Sequence, residues 1–356
     1  MAITTIEPQH KKQTSDRLPD LNVEALTRRL KRHVKGEVRF DDGSRALYAT
    51  DGSNYRQVPI GVVIPKDEED VLETLAACRE VGAPVLCRGG GTSLAGQCCN
   101  VAVVMDFTKY MNRVIGIDSR NRLARVQPGC VLDELKVQTL AHGLNFGPDP
   151  ATHTHCAIGG MLGNNSCGIH SLLGVKHGVG ERTSDNTHAL DIVTYSGERM
   201  KVGWTPPAEL ERIFQRGGAQ GIIYGRLKDL RDHYADQIRS RFPKLPRRVS
   251  GYNLNELLPE NDFHVARSLV GTEGTCVTIL EATLHLIPNP QARTLVVFGY
   301  PDVYAAADHL MEILPLKPTG LEGIDSLLIE WLRNVGHKHA NPDLFPPGHG
   351  WLLVEF

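Results

Sequence analysis

Three stretches of the sequence combine bare backbone with small polar side chains. They are CRGGGTSLAGQ (Cys87–Gln97), GPDPATHTHCAIGGMLGNNSCG (Gly147–Gly168) and GTEGTCV (Gly271–Val277). Glycine accepts positive φ and lacks the Cβ that keeps a ligand away from the main chain. Successive N–H groups in such a turn make an anion-binding concavity. Thr92 and Ser93 add hydroxyl donors and Arg88 adds a charge, which suits a pyrophosphate. A nucleoside-triphosphate loop is excluded. Gly91 and Gly96 have the GxxxxG spacing, but Gln97 and Cys98 follow where a lysine and a hydroxyl residue are required. A Rossmann fingerprint fits poorly, because Leu94 stands where its third glycine should be.

The second stretch has a different chemistry. Pro148 and Pro150 stiffen it, and Asp149 and Thr152 suit turns. Gly159 and Gly160 again remove side chains. Asn164 and Asn165 offer uncharged amides that can meet the donors and acceptors of a heteroaromatic ring. In the third stretch Glu273 is framed by glycines. Three such loops, far apart in sequence and each beside a strand, imply one long ligand of dinucleotide length. His153 and His155 form an HxH pair of a kind that can bind metal, but no third ligand has suitable spacing nearby, so hydrogen-bonding roles are expected and no metal. His177 either polarises the ligand's ring or packs beneath it. Arg247 or Arg248, near Tyr252, has the fork that grips a carboxylate bidentately, with a surface ion pair as the alternative.

Local pattern places these loops on elements. In LNVEALTRRLKRHVKG, Val23, Leu26, Leu30 and Val34 make one apolar helical stripe, and the basic face opposite either is solvated or meets anionic lipid. IGVVIP, APVLC, NVAVVMDF and RLARVQPG read as strands; DEEDVLETLAACREVG and VLDELKVQTLAHG read as helices. HALDIVTYSGE reads as a strand and hairpin. The segment between Asn145 and Arg182 is too long and too specific for a connector. ARTLVVFGY, VYAAADHLMEIL and PTGLEGID start a new strand–helix–strand unit, with a boundary near Pro288–Pro290. GHGWLLVEF reads as a buried strand, from which we expect that the chain continues past Phe356 or that its partner strands lie outside this sequence, with another chain completing the sheet as the alternative.

With 356 residues and a formal net charge of −2, nothing pushes the chain toward nucleic acid. No stretch suits a signal peptide or a membrane span. Eight scattered cysteines lack CxxC or cluster spacing and are expected to be reduced thiols. A cytoplasmic protein is expected, with peripheral attachment to a membrane as the alternative.

The three loops, in this order and spacing, together with KHG at Lys176–Gly178 and LVGTEGTCVTILEATLHLIP, resemble the FAD-binding domain of the p-cresol methylhydroxylase/vanillyl-alcohol oxidase superfamily (PCMH type). The branch resembled is that of the D-2-hydroxyacid dehydrogenases: D-lactate dehydrogenase, the glycolate oxidase flavin subunit and D-2-hydroxyglutarate dehydrogenase. The lead-in YATDGSNYRQVPIGVVIP is similar to large bacterial members with a later iron–sulfur module. The resemblance implies an α+β fold, with two subdomains clamping FAD and the start of an α+β cap domain. On this basis the chain divides into a mobile lead (1–20), a helix and lead-in (21–55), the FAD-binding domain (56–288) and an incomplete cap (291–356).

Residue by residue, the resemblance gives Arg88, Gly89, Gly90, Gly91, Thr92 and Ser93 to the pyrophosphate, with Gly96 and Gln97 completing the loop. Pro148, Asp149, Pro150, Ala151, Thr152, Ile158, Gly159 and Gly160 would line the flavin. Asn165, His177 and Gly178 match family positions, and Glu273, Gly274 and Val277 would contact the flavin–adenine chain. Thr92 stands where some members carry a histidine that bonds FAD covalently, so non-covalent FAD is expected. An insertion, VGERTSDN (Val179–Asn186), departs from the pattern. The implied chemistry is hydride transfer from a 2-hydroxyacid to the flavin, with a quinone, a cytochrome or an iron–sulfur module beyond Phe356 as electron acceptor. The catalytic base is unassigned; the resemblance puts it, and a metal-binding histidine group, in the later cap. A sugar or alcohol oxidase on the same fold and a non-catalytic FAD-binding subunit are the alternatives.

Overall fold

The computed structural model describes residues 21–335 and 344–356. The expected mobile lead lies outside the described residues. The first unit opens with α1 (Val23–His33), capped by the Asn22 side chain, which accepts from Ala25 N at 2.9 Å. Leu26 and Leu30 are buried, while Arg29 on its basic side is paired with Glu80, and Lys35, just past its end, with Glu69 at 2.5 Å. β1 (Glu37–Arg39), α2 (Asp42–Leu47), β2 (Gly61–Ile64), α3 (Glu68–Val81), β3 (Val85–Arg88) and β4 (Val103–Asp106) follow. The sheet order is β1-β2-β4-β3, with β2, β4 and β3 parallel. Every residue of β2 and β4 is buried, as expected of parallel strands covered on both faces. α3 starts at the Asp67 cap and stops at Gly82, whose φ of 71° closes the helix.

Asp70 ties this unit together. It is fully buried, and its carboxylate accepts from Lys35 N at 2.7 Å, Gly36 N at 2.9 Å and Lys66 N at 2.8 Å. Asp70→Ala removes three part-buried hydrogen bonds to a charged acceptor at once, so a loss of about 2 kcal/mol in urea unfolding is expected.

The second unit contains β5 (Val114–Asp118), β6 (Leu123–Val126), α4 (Leu132–Leu140), β7 (Leu144–Asn145), α5 (Ile158–Asn164), α6 (Ser171–Lys176), β8 (Thr187–Thr194), β9 (Arg199–Gly203), α7 (Pro207–Arg216), α8 (Gly218–Arg241), α9 (Val265–Leu269), β10 (Val277–His285) and β11 (Ile287–Pro288). Its antiparallel sheet runs β5-β6-β10-β8-β9. β10 alternates strictly, burying Thr278, Leu280, Ala282 and Leu284. β6 belongs to this sheet, so the opening strands do not form one continuous layer. β11 pairs with β7, closing the unit beside the start of the second glycine loop.

From Leu295 the chain enters a separate antiparallel sheet, β12-β14-β13, formed by β12 (Leu295–Tyr300), β13 (Gly320–Asp325) and β14 (Gly350–Glu355). α10 (Val303–Asp308), α11 (Leu310–Ile313) and α12 (Ser326–Val335) connect it. Ala306, Ile313, Leu352 and Val354 form its small core. All eight cysteines are free.

Candidate functional site

β3 ends at Arg88 and releases the first loop at its carboxyl end. No backbone N–H from Gly89 to Ser93 donates to a protein acceptor. Gly90 is exposed and the other four are half-buried, so these N–H groups are open to water or to a ligand in the cleft. The glycines are required mainly by the second loop, which packs against the first. A Cβ on Gly90 would lie 2.1 Å from His155 O, and one on Gly89 would lie 2.8 Å from the Ala157 Cβ. Gly91 has φ 66°. Arg88 departs from the expectation that its charge faces a pyrophosphate. Its guanidinium donates to Cys98 O at 2.8 Å and Thr50 O at 2.9 Å, and lies 5.3 Å from the Tyr48 ring centre. It braces the loop from behind.

α5 joins the second loop to the third. Ile158 N donates to Cys130 O at 2.8 Å, fixing its start. At its far end Leu162 O accepts from Gly271 N at 2.8 Å and Gly163 O from Glu273 N at 3.0 Å. Asn164 Nδ2 donates to Glu273 Oε1 at 3.1 Å. Glu273 sits at φ 52°, and burial pushes its carboxyl above the usual range despite the Asn164 and Gln97 bonds.

The three loops border a cleft made of two adjoining hollows. They share Gly89, Ser93, Gln97, Cys98 and Gly160. One hollow is walled by Leu86, Phe107, Pro128, Leu269, Val277 and Ile279, with Glu273 and Gly274 at its edge. The other is lined by Gly90 to Ala95, Pro150 to Thr152, Asn164 and Ser166. A Cβ on Gly160 would meet no atom within 4 Å, so at this shared position the floor is bare backbone. An apolar seat, a middle of open N–H donors and a polar, amide-bearing seat suit a ring–pyrophosphate–ring ligand. FAD fits these residues.

Of the residues expected at the site, Arg88 to Ser93, Gln97, Pro150 to Thr152, Gly159, Gly160, Glu273, Gly274 and Val277 line the cleft. The others do not. Gly96 turns at φ 83° against Tyr55, and Ile158 is wholly buried in the core. Pro148 and Asp149 are buried, Asp149 in contact with Lys136 and His170. Asn165 is a buried left-handed cap at φ 58° whose Oδ1 accepts from Ser184 N at 2.9 Å. His177 and Gly178 are largely exposed at the end of α6; partial desolvation of the ring, then Lys176 and Arg122, lower the His177 pKa.

The Val179–Asn186 insertion proves to be an internal brace. Arg182 pairs with Asp185 at 2.6 Å, and Thr183 N donates to Ser166 O at 3.0 Å beneath the second loop. Arg247 is bound to Glu181 at 2.6 Å, Arg248 to Asn253 and Asn255 at 2.8 and 2.6 Å, and Tyr252 to Thr275 at 2.7 Å. His153 is paired with Asp133 at 2.8 Å, in a turn rather than on a strand. Among the described residues no cluster has the makings of a metal site. Of the apolar wall only Val277 was anticipated, because the other five residues lie outside the expected site positions and come from separate segments; Asn164, Ser166 and Cys98 lay inside the recognised motifs.

The fold and cleft define a flavin-binding unit. Residues 59–203 match the family described as FAD binding domain. Among curated proteins, it is 30% identical over 90% of its length to a D-2-hydroxyglutarate dehydrogenase of Pseudomonas putida. It is 29% identical over 85% of its length to the glycolate oxidase subunit GlcD of Bacillus subtilis. The chain spans 32% of the first relative and 54% of the second. A solved structure of alkyldihydroxyacetonephosphate synthase shares the fold, with a TM-score of 0.61 at 18% identity, over 93% of this chain and 55% of that one. No helix among the described residues is long and apolar enough to cross a membrane.

Proposed function

We propose that the protein is an FAD-linked dehydrogenase of a D-2-hydroxyacid of the D-2-hydroxyglutarate, glycolate or D-lactate kind. The observation that carries this reading is the run of open N–H donors from Gly89 to Ser93 in the middle of the cleft. The names of the relatives supply the substrate class. In this reading the loop N–H groups and the Thr92 and Ser93 hydroxyls hold the pyrophosphate. Pro150, Ala151, Thr152 and Asn164 border the polar ring, and Val277 and Ile279 pack on the other. Bound FAD supplies the acceptor for the substrate's hydride. The cofactor is held without a covalent bond, since Thr92 takes the place of the attaching histidine. The electron acceptor is a quinone, a cytochrome or an iron–sulfur centre, and the protein works in the cytoplasm or at a membrane surface. The FAD-binding domain ends near Pro288–Pro290. That boundary is supported by the chain leaving the β7–β11 pair and entering a separate sheet at Leu295.

The test is the visible spectrum of the purified protein before and after acid precipitation, followed by turnover of the three hydroxyacids with an artificial acceptor. Flavin in the supernatant and turnover of one acid support the reading. Flavin retained in the pellet overturns the non-covalent assignment. Flavin without turnover by the full-length protein points to a binding subunit. Arg88→Lys is expected to weaken FAD about tenfold in a fluorescence titration, because an ammonium cannot span the carbonyls that the planar fork reaches.

A further inference from the structure

We infer that His170 is a positioning residue whose ring, held between Asp149 and Glu355, locks the cofactor-lining second loop to the β12-β14-β13 sheet. This rests on the cofactor reading above. His170 precedes α6. Its Nδ1 contacts Asp149 Oδ2, its backbone N–H donates to Asp149 Oδ1 at 2.9 Å, and its Nε2 lies 3.2 Å from Glu355 Oε1 on β14. The side chains of Asp149, His170 and Glu355 are only 6%, 21% and 15% exposed. The other charges facing the group are Lys136 of α4, 3.4 Å from Asp149, and Arg293, 3.8 Å from Glu355. The Thr319 hydroxyl donates to Glu355 at 3.0 Å. A Cβ on Gly320 of β13 would touch the His170 ring at 3.4 Å, so the ring packs on the third sheet itself.

On the other side, Asp149 stands between Pro148 and Pro150, and the next residues are cleft wall. Two prolines lock their own φ angles and restrict the residues before them. A shift of Asp149 therefore carries Pro150 to Thr152 with it.

An imidazolium donates from both nitrogens; a neutral imidazole donates from one. The Asp149 bond, against the effect of burial, and the charges of Asp149 and Glu355 raise the His170 pKa above its ordinary 6.5. A raised folded-state value makes the clasp fully present below the ordinary value and loses it as pH rises through the folded one.

The experiment is FAD dissociation from the holoprotein, read by flavin fluorescence over roughly pH 6 to 9, beside an NMR titration of the His170 ring. In the wild type the FAD Kd is expected to rise about tenfold with a midpoint that coincides with the ring titration. His170→Gln should bind weakly at every pH with no midpoint, and Glu355→Gln should move the midpoint to lower pH. An unchanged profile in His170→Gln overturns the proposal, as does a ring that titrates at its ordinary value. Failure of every variant and of the wild type to bind FAD would sink the cofactor reading and the positioning role together. The ring titration would still report separately whether the clasp exists.

Discussion

Gly90→Val is expected to purify without flavin and to take up added FAD at least about a hundredfold more weakly than the wild type. The cause is a collision between loops. A Cβ at position 90 would sit 2.1 Å from His155 O, a backbone atom that no side-chain rotation can move. The first loop must then retreat from the second, and the open N–H groups of Gly89 to Ser93 lose their alignment. Gly160→Leu separates this effect from direct blockage. Its Cβ enters open space on the cleft floor, and leucine is a better helix former than glycine by roughly 0.5–1 kcal/mol. That variant should keep or gain stability while losing FAD. Thermal melts and flavin content, measured side by side, check both. Full flavin content in Gly90→Val would remove the loop from the cofactor site, and full content in Gly160→Leu would remove the cleft floor.

Stability is expected to fall by about 3 kcal/mol as pH drops from roughly 7.5 to 5, and the main sources are histidines outside the cleft. His264 is buried before α9. His188 on β8 and His285 on β10 meet edge to face with ring centres 5.0 Å apart. Burial first, then Arg267 and the neighbouring imidazoles, push His264 down to about 3; burial, His188 and Arg267 push His285 down to about 4. His188 is lowered by burial, Arg267 and Lys201. These rings are neutral in the folded protein, whereas the unfolded chain protonates them below the ordinary 6.5. Stability is therefore whole above that value and is lost on the way down to the folded values. Urea midpoints at several pH values measure it, and His188→Gln/His285→Gln should flatten the slope. An equally steep slope in the double variant would assign the acid sensitivity elsewhere. His170 acts in the opposite direction, since its raised pKa withdraws stability on the alkaline side.

The loops that form the cleft were legible because their requirements are local. A loop that must leave N–H groups open, turn at Gly91 and pack tightly at Gly89 and Gly90 shows glycines in any context. The α1 stripe, the buried β2 and β4 runs and the β10 alternation were legible for the same reason: their periods are written in adjacent residues. α7 and α8, which cover 207–241, were not anticipated. α8 carries only Gly221, Tyr224 and Ile238 as buried residues over 24 positions, too sparse a stripe to announce itself.

Side-chain roles were less legible than loop positions. Arg88 beside a phosphate-type loop invited an assignment to the ligand, yet three carbonyls distant in sequence claim its guanidinium. Asp149, Asn165 and His177 sit within the recognised motifs but point into the core or into solvent, because helix phase and loop packing decide where a side chain faces. By itself the sequence determined that three separated glycine-rich loops, the first of phosphate-cradle type, stand on an α+β scaffold, since backbone freedom and strand periodicity are short-range properties. Only the tertiary structure decided which residues face the cleft, which apolar residues form its wall and which charges meet across the sheets, because those contacts join segments whose separation along the chain says nothing about their separation in space.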